Sequence, residues 1–507
     1  MLYPEGTEIY EVEKPKKNPY ASRTKNRPLY MFIFLIFIFG IIMASLSLIY
    51  MTDKSTAPNQ PSNESKYQTD SGYIELQNQK GADGPVKFFY TYTQKKATKS
   101  AQLAQKKTTD AQNLIIWTNG GPGCSSLSGF FTGIGPLRMV NKKQTPVELV
   151  DEEYTVAENA DLLTIDQPVG TGFSLGNLTA GQTKSGKSGT TYNAKLYNDY
   201  SEVSETLKNI ITEFLAQKTK TQYKQIIFVS ESMSGHFVPL AAKLLLDDLK
   251  ATTKIKIVLV SPWVNPPIQY SFFTEFALQN NLITKEHAEK VVKPLETACL
   301  DTLHKPDFTT KDIERDCYAY TNAITDKKFN YYDYNCKSDA QGKALVFNSS
   351  SLTASLKLNS FTEKYLGFDQ TSIDSPNKFT RCSSIVRSTL LAQSSQDKSG
   401  YVKATLEAGI PVVVLSGEYD MISSYLGAQK WTSELNTTAV DVSEGIERNG
   451  VVIDDGLGVG AGEGKYSHFR SFFVPKAGHM ISIKNAKALK GYVDQMIQGD
   501  FDPKPKK

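Results

Sequence analysis

A chain of 507 residues, 40% hydrophobic and 22% charged, has ordinary globular composition and room for one large domain with insertions, or for two domains. Its formal net charge of +4 is too small to drive nucleic-acid binding, and no basic stripe with interleaved aromatics runs through it.

The first organised stretch is apolar. From Leu29 to Met51 the chain carries no charge, over about the 20 residues a helix needs to cross a bilayer. Tyr30 and Tyr50 stand near its two ends, where amphipathic rings prefer the headgroup level. Lys14, Lys16, Lys17, Arg23, Lys25 and Arg27 precede it, and only Lys54 and Lys66 follow closely. The positive-inside rule therefore predicts a single-pass type II membrane protein. Residues 1–28 are then a cytosolic tail, 29–51 a transmembrane signal-anchor, and everything beyond lies in the lumen or outside. A cleaved signal peptide, with Ser45 and Ser47 near the cleavage point, is the other reading; the length of leader and apolar run favours an uncleaved anchor. Asn63, Asn177, Asn348 and Asn436 open glycosylation tripeptides, all on the exported side. The five cysteines, Cys124, Cys299, Cys317, Cys336 and Cys382, lie there too, where an oxidising compartment lets two pairs form and leaves one thiol over.

Residues 52–70 are rich in Ser, Thr, Asn, Gln and Pro, with little to bury, and read as a flexible stem. A folded domain is expected over 71–499, with a charged tail at 500–507. Strand-like runs open it at Gly72–Leu76 and Lys87–Tyr92, and the lysine-rich stretch from Gln94 to Gln112 reads as a solvated loop. Leu114–Trp117 is a buried-type strand that runs into Thr118-Asn-Gly-Gly-Pro-Gly-Cys-Ser-Ser-Leu-Ser-Gly. Consecutive glycines after a strand let backbone N–H groups point into a cavity, which is what stabilising an oxyanion requires. Leu162–Ile165 follows, ending at Asp166-Gln-Pro-Val-Gly-Thr-Gly-Phe-Ser, and then apolar spacing predicts a helix over Asn193–Ala216.

Gln225 to Leu240 changes character abruptly: the run Ile226, Ile227, Phe228, Val229 stops at Ser230-Glu-Ser-Met-Ser-Gly, and a helix-compatible segment follows. Strand, sharp turn of small residues and helix make the layout of a nucleophile elbow, with Ser232 at the tip. An ordinary strand–helix connection would look similar, so the elbow needs partners elsewhere. Ile255–Val260 is the next strand, ending in Ser-Pro-Trp-Val-Asn-Pro-Pro. From about 266 to 398 charge rises and the strand–helix alternation fades, which reads as an inserted, mainly helical cap. Alternation resumes at Ile410-Pro-Val-Val-Val-Leu-Ser-Gly-Glu-Tyr-Asp and at His468–Val474, and a last helix is expected over Asn485–Ile497. Gly456-Leu-Gly-Val-Gly-Ala-Gly imitates a dinucleotide fingerprint but opens no helix after a strand, so a hairpin or loop is expected. The whole describes an α/β protein with a mostly parallel central sheet and helices on both faces: an α/β-hydrolase fold with an inserted cap.

A serine attacks only when a base takes its proton, and the base needs a third group to orient it. The chain has five histidines. His236 is too close to Ser232 along the chain and reads as a packing residue; His287 and His304 fall in the cap; His468 opens a strand. His479, in a Gly-His turn after the last strand, is the best base. The acid comes from Gly417-Glu-Tyr-Asp, where Glu418 and Asp420 both stand near a strand end and the spacing favours Asp420. The order Ser232, Asp420, His479 is that of the α/β-hydrolases.

With these residues in place, the sequence resembles the serine carboxypeptidase family from Ser71 to Gly499. The resemblance rests on Trp117-Thr-Asn-Gly-Gly-Pro-Gly-Cys-Ser-Ser-Leu, Asp166-Gln-Pro-Val-Gly-Thr-Gly-Phe-Ser, Ser230-Glu-Ser-Met-Ser-Gly-His, Gly417-Glu-Tyr-Asp and Gly478-His-Met. It implies a hydrolase that removes C-terminal residues from peptides or proteins through an acyl-enzyme, with no cofactor and no metal. Ser232 would attack, with His479 as base and Asp420 as its partner. The N–H groups of Gly121 and Met233 would form the oxyanion hole. Asn119, Gly120 and Glu231 would hold the substrate's terminal carboxylate. Glu231 beside that carboxylate implies a shared proton and a preference for acidic pH. The resemblance also pairs Cys124 with Cys382.

The chain departs from the family's pattern at several points. The usual elbow Gly-Glu-Ser-Tyr-Ala-Gly carries Ser230, Met233 and Ser234 here; Glu418 replaces an aspartate; and Met480-Ile-Ser replaces Met-Val-Pro. A glutamate that often supports the carboxylate site in the family is replaced by Gly133, and a Gly133→Glu variant that gained affinity for free carboxylates would support that account of the departure. These departures leave two further readings: an acyltransferase or esterase on the same scaffold, or an inactive lumenal binding protein.

Overall fold

The computed structural model describes residues 65–502, apart from 78–84, 97–112, 141–143, 175–178, 183–187, 192–198, 220, 250–252, 326–328, 337–347, 374–378, 436–438, 443–445, 449–450, 454–457, 462–465 and 467. The expected tail, anchor and most of the stem lie outside the described residues, as do Asn63, Asn177 and Asn436. Among the described residues no helix is long and apolar enough to cross a membrane.

A ten-stranded sheet forms the centre. Its strands in chain order are β1 (Tyr67–Leu76), β2 (Val86–Lys95), β3 (Asn113–Thr118), β4 (Asp161–Ile165), β5 (Gln225–Glu231), β6 (Lys254–Val260), β7 (Val412–Gly417), β8 (Ala439–Val442), β9 (Gly458–Ala461) and β10 (Phe469–Val474). Across the sheet they run β1-β2-β4-β3-β5-β6-β7-β10-β9-β8. The central strands from β4 to β10 pair in parallel, and the outer ones antiparallel. β1 begins at Tyr67, inside the segment read as a stem, because Tyr67 through Leu76 pair residue by residue with β2. The glycine-rich stretch near Gly456 supplies β9, which pairs antiparallel with β8 and β10.

The strands that read as apolar runs are covered on both faces, as a parallel sheet requires. Ile226, Ile227, Phe228 and Val229 of β5 are all buried. Helix α1 (Tyr200–Gln217) starts later than its apolar spacing predicted, because the Asp199 side chain caps it by accepting from Ser201 N–H at 2.7 Å. It buries Val203, Leu207, Ile210, Ile211 and Phe214, and it packs on α2 (Val238–Asp248), which follows the elbow with Pro239 in its first turn.

The inserted region is built of α3 (Pro266–Ser271), α4 (Phe273–Gln279), α5 (Lys293–Leu303), α6 (Thr310–Thr325), α7 (Ser349–Leu356), α8 (Asn359–Leu366) and α9 (Ser384–Leu390), with no strand among its described residues. Cys299 and Cys317 form a disulfide that ties α5 to α6. A second disulfide joins Cys124 of the glycine loop to Cys382. Asn348 caps α7, its Oδ1 accepting from Ser351 N–H. Beyond the insertion come α10 (Ser399–Glu407), α11 (Tyr425–Ser433) and α12 (Ile481–Gln498).

Candidate active site

Parallel pairing sets the site. Thr118 lies opposite Ser230, Val260 opposite Glu231, Leu415 opposite Val260, and Val474 opposite Gly417. The residues that follow these strands therefore emerge along one edge of the sheet, where open α/β sheets place their ligands. Asn119, Ser232, Asp420 and His479 all belong to those segments.

At the elbow, β5 ends at Glu231 and Ser232 takes the left-handed conformation, with φ 62°. A non-glycine residue there costs about 1–3 kcal/mol. Burying the side chains of Ile226, Ile227, Phe228 and Val229 contributes roughly 1.5–3 kcal/mol each, so the strand readily holds the strained tip. Trp263, just past β6, braces the turn from the other side: its N–H donates to Ser232 O at 2.9 Å, and its carbonyl accepts from His236 Nδ1 at 2.6 Å. His236 is fully buried, and burial first of all drives its pKa down to about 3, so the ring stays neutral. Ser232 itself is half-buried.

His479 sits in the turn between β10 and α12, buried, and its Nδ1 lies 2.8 Å from Asp420 Oδ2. Asp420 is fully buried, and its other oxygen accepts from Ser423 N–H at 3.0 Å. Burial opposes the charged imidazolium, but Asp420 and, further off, Glu231 outweigh it and hold the His479 pKa above its ordinary value. Nε2, on the other side of the ring, has no hydrogen-bond partner among the described residues. Glu418, the other acid considered, faces away and accepts from Lys476 N–H at 2.7 Å. His287 and His468 are bound to the carbonyls of Ala323 and Leu406, and His304 is exposed at the end of α5.

The glycine loop lies against the elbow with no room between them. A Cβ on Gly120 would stand 2.4 Å from Met233 N and 2.8 Å from Glu231 O. Gly121 has φ 126°, where a side chain is strained. Asn119 is held by its carbonyl end: Oδ1 accepts from Trp117 Nε1 and Gly129 N–H, both at 3.0 Å. Its amide must then point the other way, and Nδ2 donates to Glu231 Oε1 at 2.8 Å. Glu231 is buried, and burial raises its pKa from 4.5 to about 7, with Asp420 adding to the rise and His479 and Asn119 opposing it.

Sequence reasoning assigned no role to two groups that shape this loop. Ser126 Oγ accepts from Asn119 N–H and donates to Ile165 O. Asp166 accepts from Ser125 Oγ, Ser126 N–H and Phe173 N–H. Burial nonetheless lifts the Asp166 pKa to about 6 against those donors. Both residues stand inside motifs visible in the sequence, Asp166 directly after β4 and Ser126 within the glycine loop that follows β3, and that position was the available signal.

Gly133, the departure that bears on the expected carboxylate site in the family pattern, is tightly enclosed. It lies in a distorted turn over Phe130–Ile134 with φ 122°, and a Cβ would meet Ser482 O at 2.6 Å. No glutamate fits without moving α12. Two departures from the family pattern, Gly133 and Ser482, thus touch one another.

A serine on a strained strand–helix turn and a carboxylate-bound histidine that follows another strand of the same mostly parallel sheet make the layout of the α/β-hydrolase class. Residues 58–499 match the family model described as serine carboxypeptidase, and the chain belongs to that family. It is 28% identical over 432 residues to serine carboxypeptidase-like 49 of Arabidopsis thaliana, covering 82% of this chain and 74% of that one. It is 25% identical over 436 residues to the pheromone-processing carboxypeptidase KEX1 of Ajellomyces capsulatus, covering 80% of this chain and 60% of that one. Among solved structures, that of KEX1(delta)p, a prohormone-processing carboxypeptidase from Saccharomyces cerevisiae, shares the fold with a TM-score of 0.64 at 19% identity, covering 87% of this chain and 94% of that one. These matches make the protein a serine carboxypeptidase and favour neither the acyltransferase or esterase reading nor the inactive binding protein.

Proposed function

We propose that Ser232, His479 and Asp420 are the catalytic triad and that the protein removes C-terminal residues from peptides or proteins through an acyl-enzyme on Ser232. The observation that carries this reading is the His479–Asp420 hydrogen bond of 2.8 Å, which leaves Nε2 unbonded on the edge where Ser232 stands. Asp420 accepts from Nδ1 and so selects the tautomer in which Nε2 can take a proton. His479 removes the Ser232 proton as the hydroxyl attacks the scissile carbonyl, then returns it to the departing amine. Water repeats the sequence on the ester. The N–H groups of Gly121 and Met233 receive the oxyanion.

Specificity for a chain end comes from Asn119, Gly120 and Glu231. Glu231 carries a proton below about pH 7 and can share it with a substrate carboxylate; two charged carboxylates could not stay side by side. Two disulfides fit an oxidising compartment. We place the domain on the lumenal or extracellular side of a membrane crossed by residues 29–51.

The test is Ser232→Ala. Turnover of a blocked dipeptide is expected to fall about 10⁵-fold, and labelling by a fluorophosphonate to disappear. A variant that keeps a tenth or more of the activity overturns the assignment.

A further inference from the structure

His479 is held at more than its ring. Its backbone N–H donates to the carbonyl of Tyr332 at 2.7 Å, and the Tyr332 ring packs on the imidazole with centroids 5.0 Å apart. Tyr332 comes from the inserted cap, between α6 and α7. The fit is close: a Cβ on Gly478 would meet Asp333 Cβ at 2.6 Å and Tyr332 O at 2.7 Å. The neighbouring cap residues grip the loop that carries the acid. Met421 N–H and Ile422 N–H both donate to Tyr331 O, and Tyr334 N–H donates to Tyr419 O. One short strip of the cap therefore spans the two loops that bring Asp420 and His479 together.

Asp333 anchors that strip. Its side chain is completely buried, with Oδ1 accepting from Asn335 N–H at 3.1 Å and Oδ2 lying 3.2 Å from Lys484 Nζ. Lys484 belongs to α12, just after His479, so the strip is tied to the histidine loop on both sides of the turn. Burial raises the Asp333 pKa and the charge of Asp420 adds to the rise, while the Lys484 ammonium and the Asn335 N–H favour the ionised form.

We propose that Asp333, through its ion pair with Lys484 and through the Tyr332 carbonyl, is a positioning residue for His479, so that the cap sets triad geometry as well as covering the site. The strip acts on the histidine backbone, and small shifts of a base relative to its nucleophile lower the chemical step rather than substrate binding. The inference rests on the triad assignment above.

The experiment compares Asp333→Asn, Lys484→Met and the double variant in the full chain, with His479→Ala alongside. Active sites are counted by fluorophosphonate titration carried to completion, and kcat and KM are expressed per titrated site. Each single change is expected to lower kcat about tenfold while KM stays within about twofold. The double variant should be no slower than the slower single, since both changes break one link. The proposal is overturned if either single keeps the natural kcat per titrated site, if the losses multiply, or if only the number of titratable sites falls. Lys484 is partly exposed, so its variant tests the idea even where Asp333→Asn folds poorly. If His479→Ala keeps the natural kcat, the triad reading itself falls. If it is inactive while Lys484→Met is not slowed, only the positioning role does.

Discussion

The side-chain amide of Asn119 reaches Glu231 Oε1 across 2.8 Å, so the glycine loop and the nucleophile strand meet at one buried carboxyl group beside Ser232. In the proposed function that carboxyl, raised to about 7, is the group that meets a substrate's free carboxylate. For blocked dipeptides with a free C-terminus, kcat/KM should decline as pH rises through about 7, where Glu231 loses its proton. Amidated counterparts should be poorer substrates and lack that decline. Glu231→Gln should remove it for the free acids. Equal turnover of the two substrate types across the range would contradict exopeptidase specificity.

The same group links pH to stability. A carboxyl whose pKa is higher folded than unfolded contributes fully below the unfolded value and loses that contribution as pH rises through the folded one. For Glu231 the window runs from 4.5 to about 7. Urea denaturation of the natural chain and of Glu231→Gln should therefore diverge across this window. The glutamine variant should gain by roughly 3 kcal/mol on the alkaline side relative to the acid side. A constant difference would mean that Glu231 titrates normally.

Asp420→Asn tests the orientation of the base. An asparagine keeps the shape but offers His479 Nδ1 an amide donor, which favours the tautomer with its proton on Nε2. The expected loss in kcat is about 10⁴-fold with little change in fold or KM. Glu418→Gln, which alters a carboxylate bonded to Lys476 instead, should leave kcat nearly unchanged.

Gly133→Glu should destabilise rather than improve carboxylate binding. The positive φ and the 2.6 Å approach of Ser482 O together are expected to cost about 2–4 kcal/mol. A thermal melt unchanged from the natural chain would show that α12 gives way at little cost.

The candidate site was legible along the chain because its residues stand at, or within a few residues of, strand ends. Small residues after Val229 marked Ser232, a glycine run after Trp117 marked Asn119 and its neighbours, and strand ends near Gly417 and Val474 pointed to Asp420 and His479. The alternation of apolar strands with helices likewise read out the parallel core, since strands buried on both faces carry unbroken apolar runs. Capping was harder to see: the start of α1 depends on Asp199, not on the apolar spacing that extends before it.

What the sequence by itself determined is which residue types stand where: a serine, an aspartate and a histidine, each at or after a strand end, and a glycine loop whose residue types suit anion binding. What only the tertiary structure decided is which groups touch. It turned Glu418 toward Lys476 and Asp420 toward His479, joined Cys299 to Cys317, and closed the space beside Gly133 with Ser482. It also brought Tyr332 and Asp333 of the cap against the histidine loop. Local pattern reports how a residue relates to its neighbours in the chain. Contacts between distant segments depend on strand order, on sheet register and on where an insertion folds back, and no short stretch of sequence carries that information.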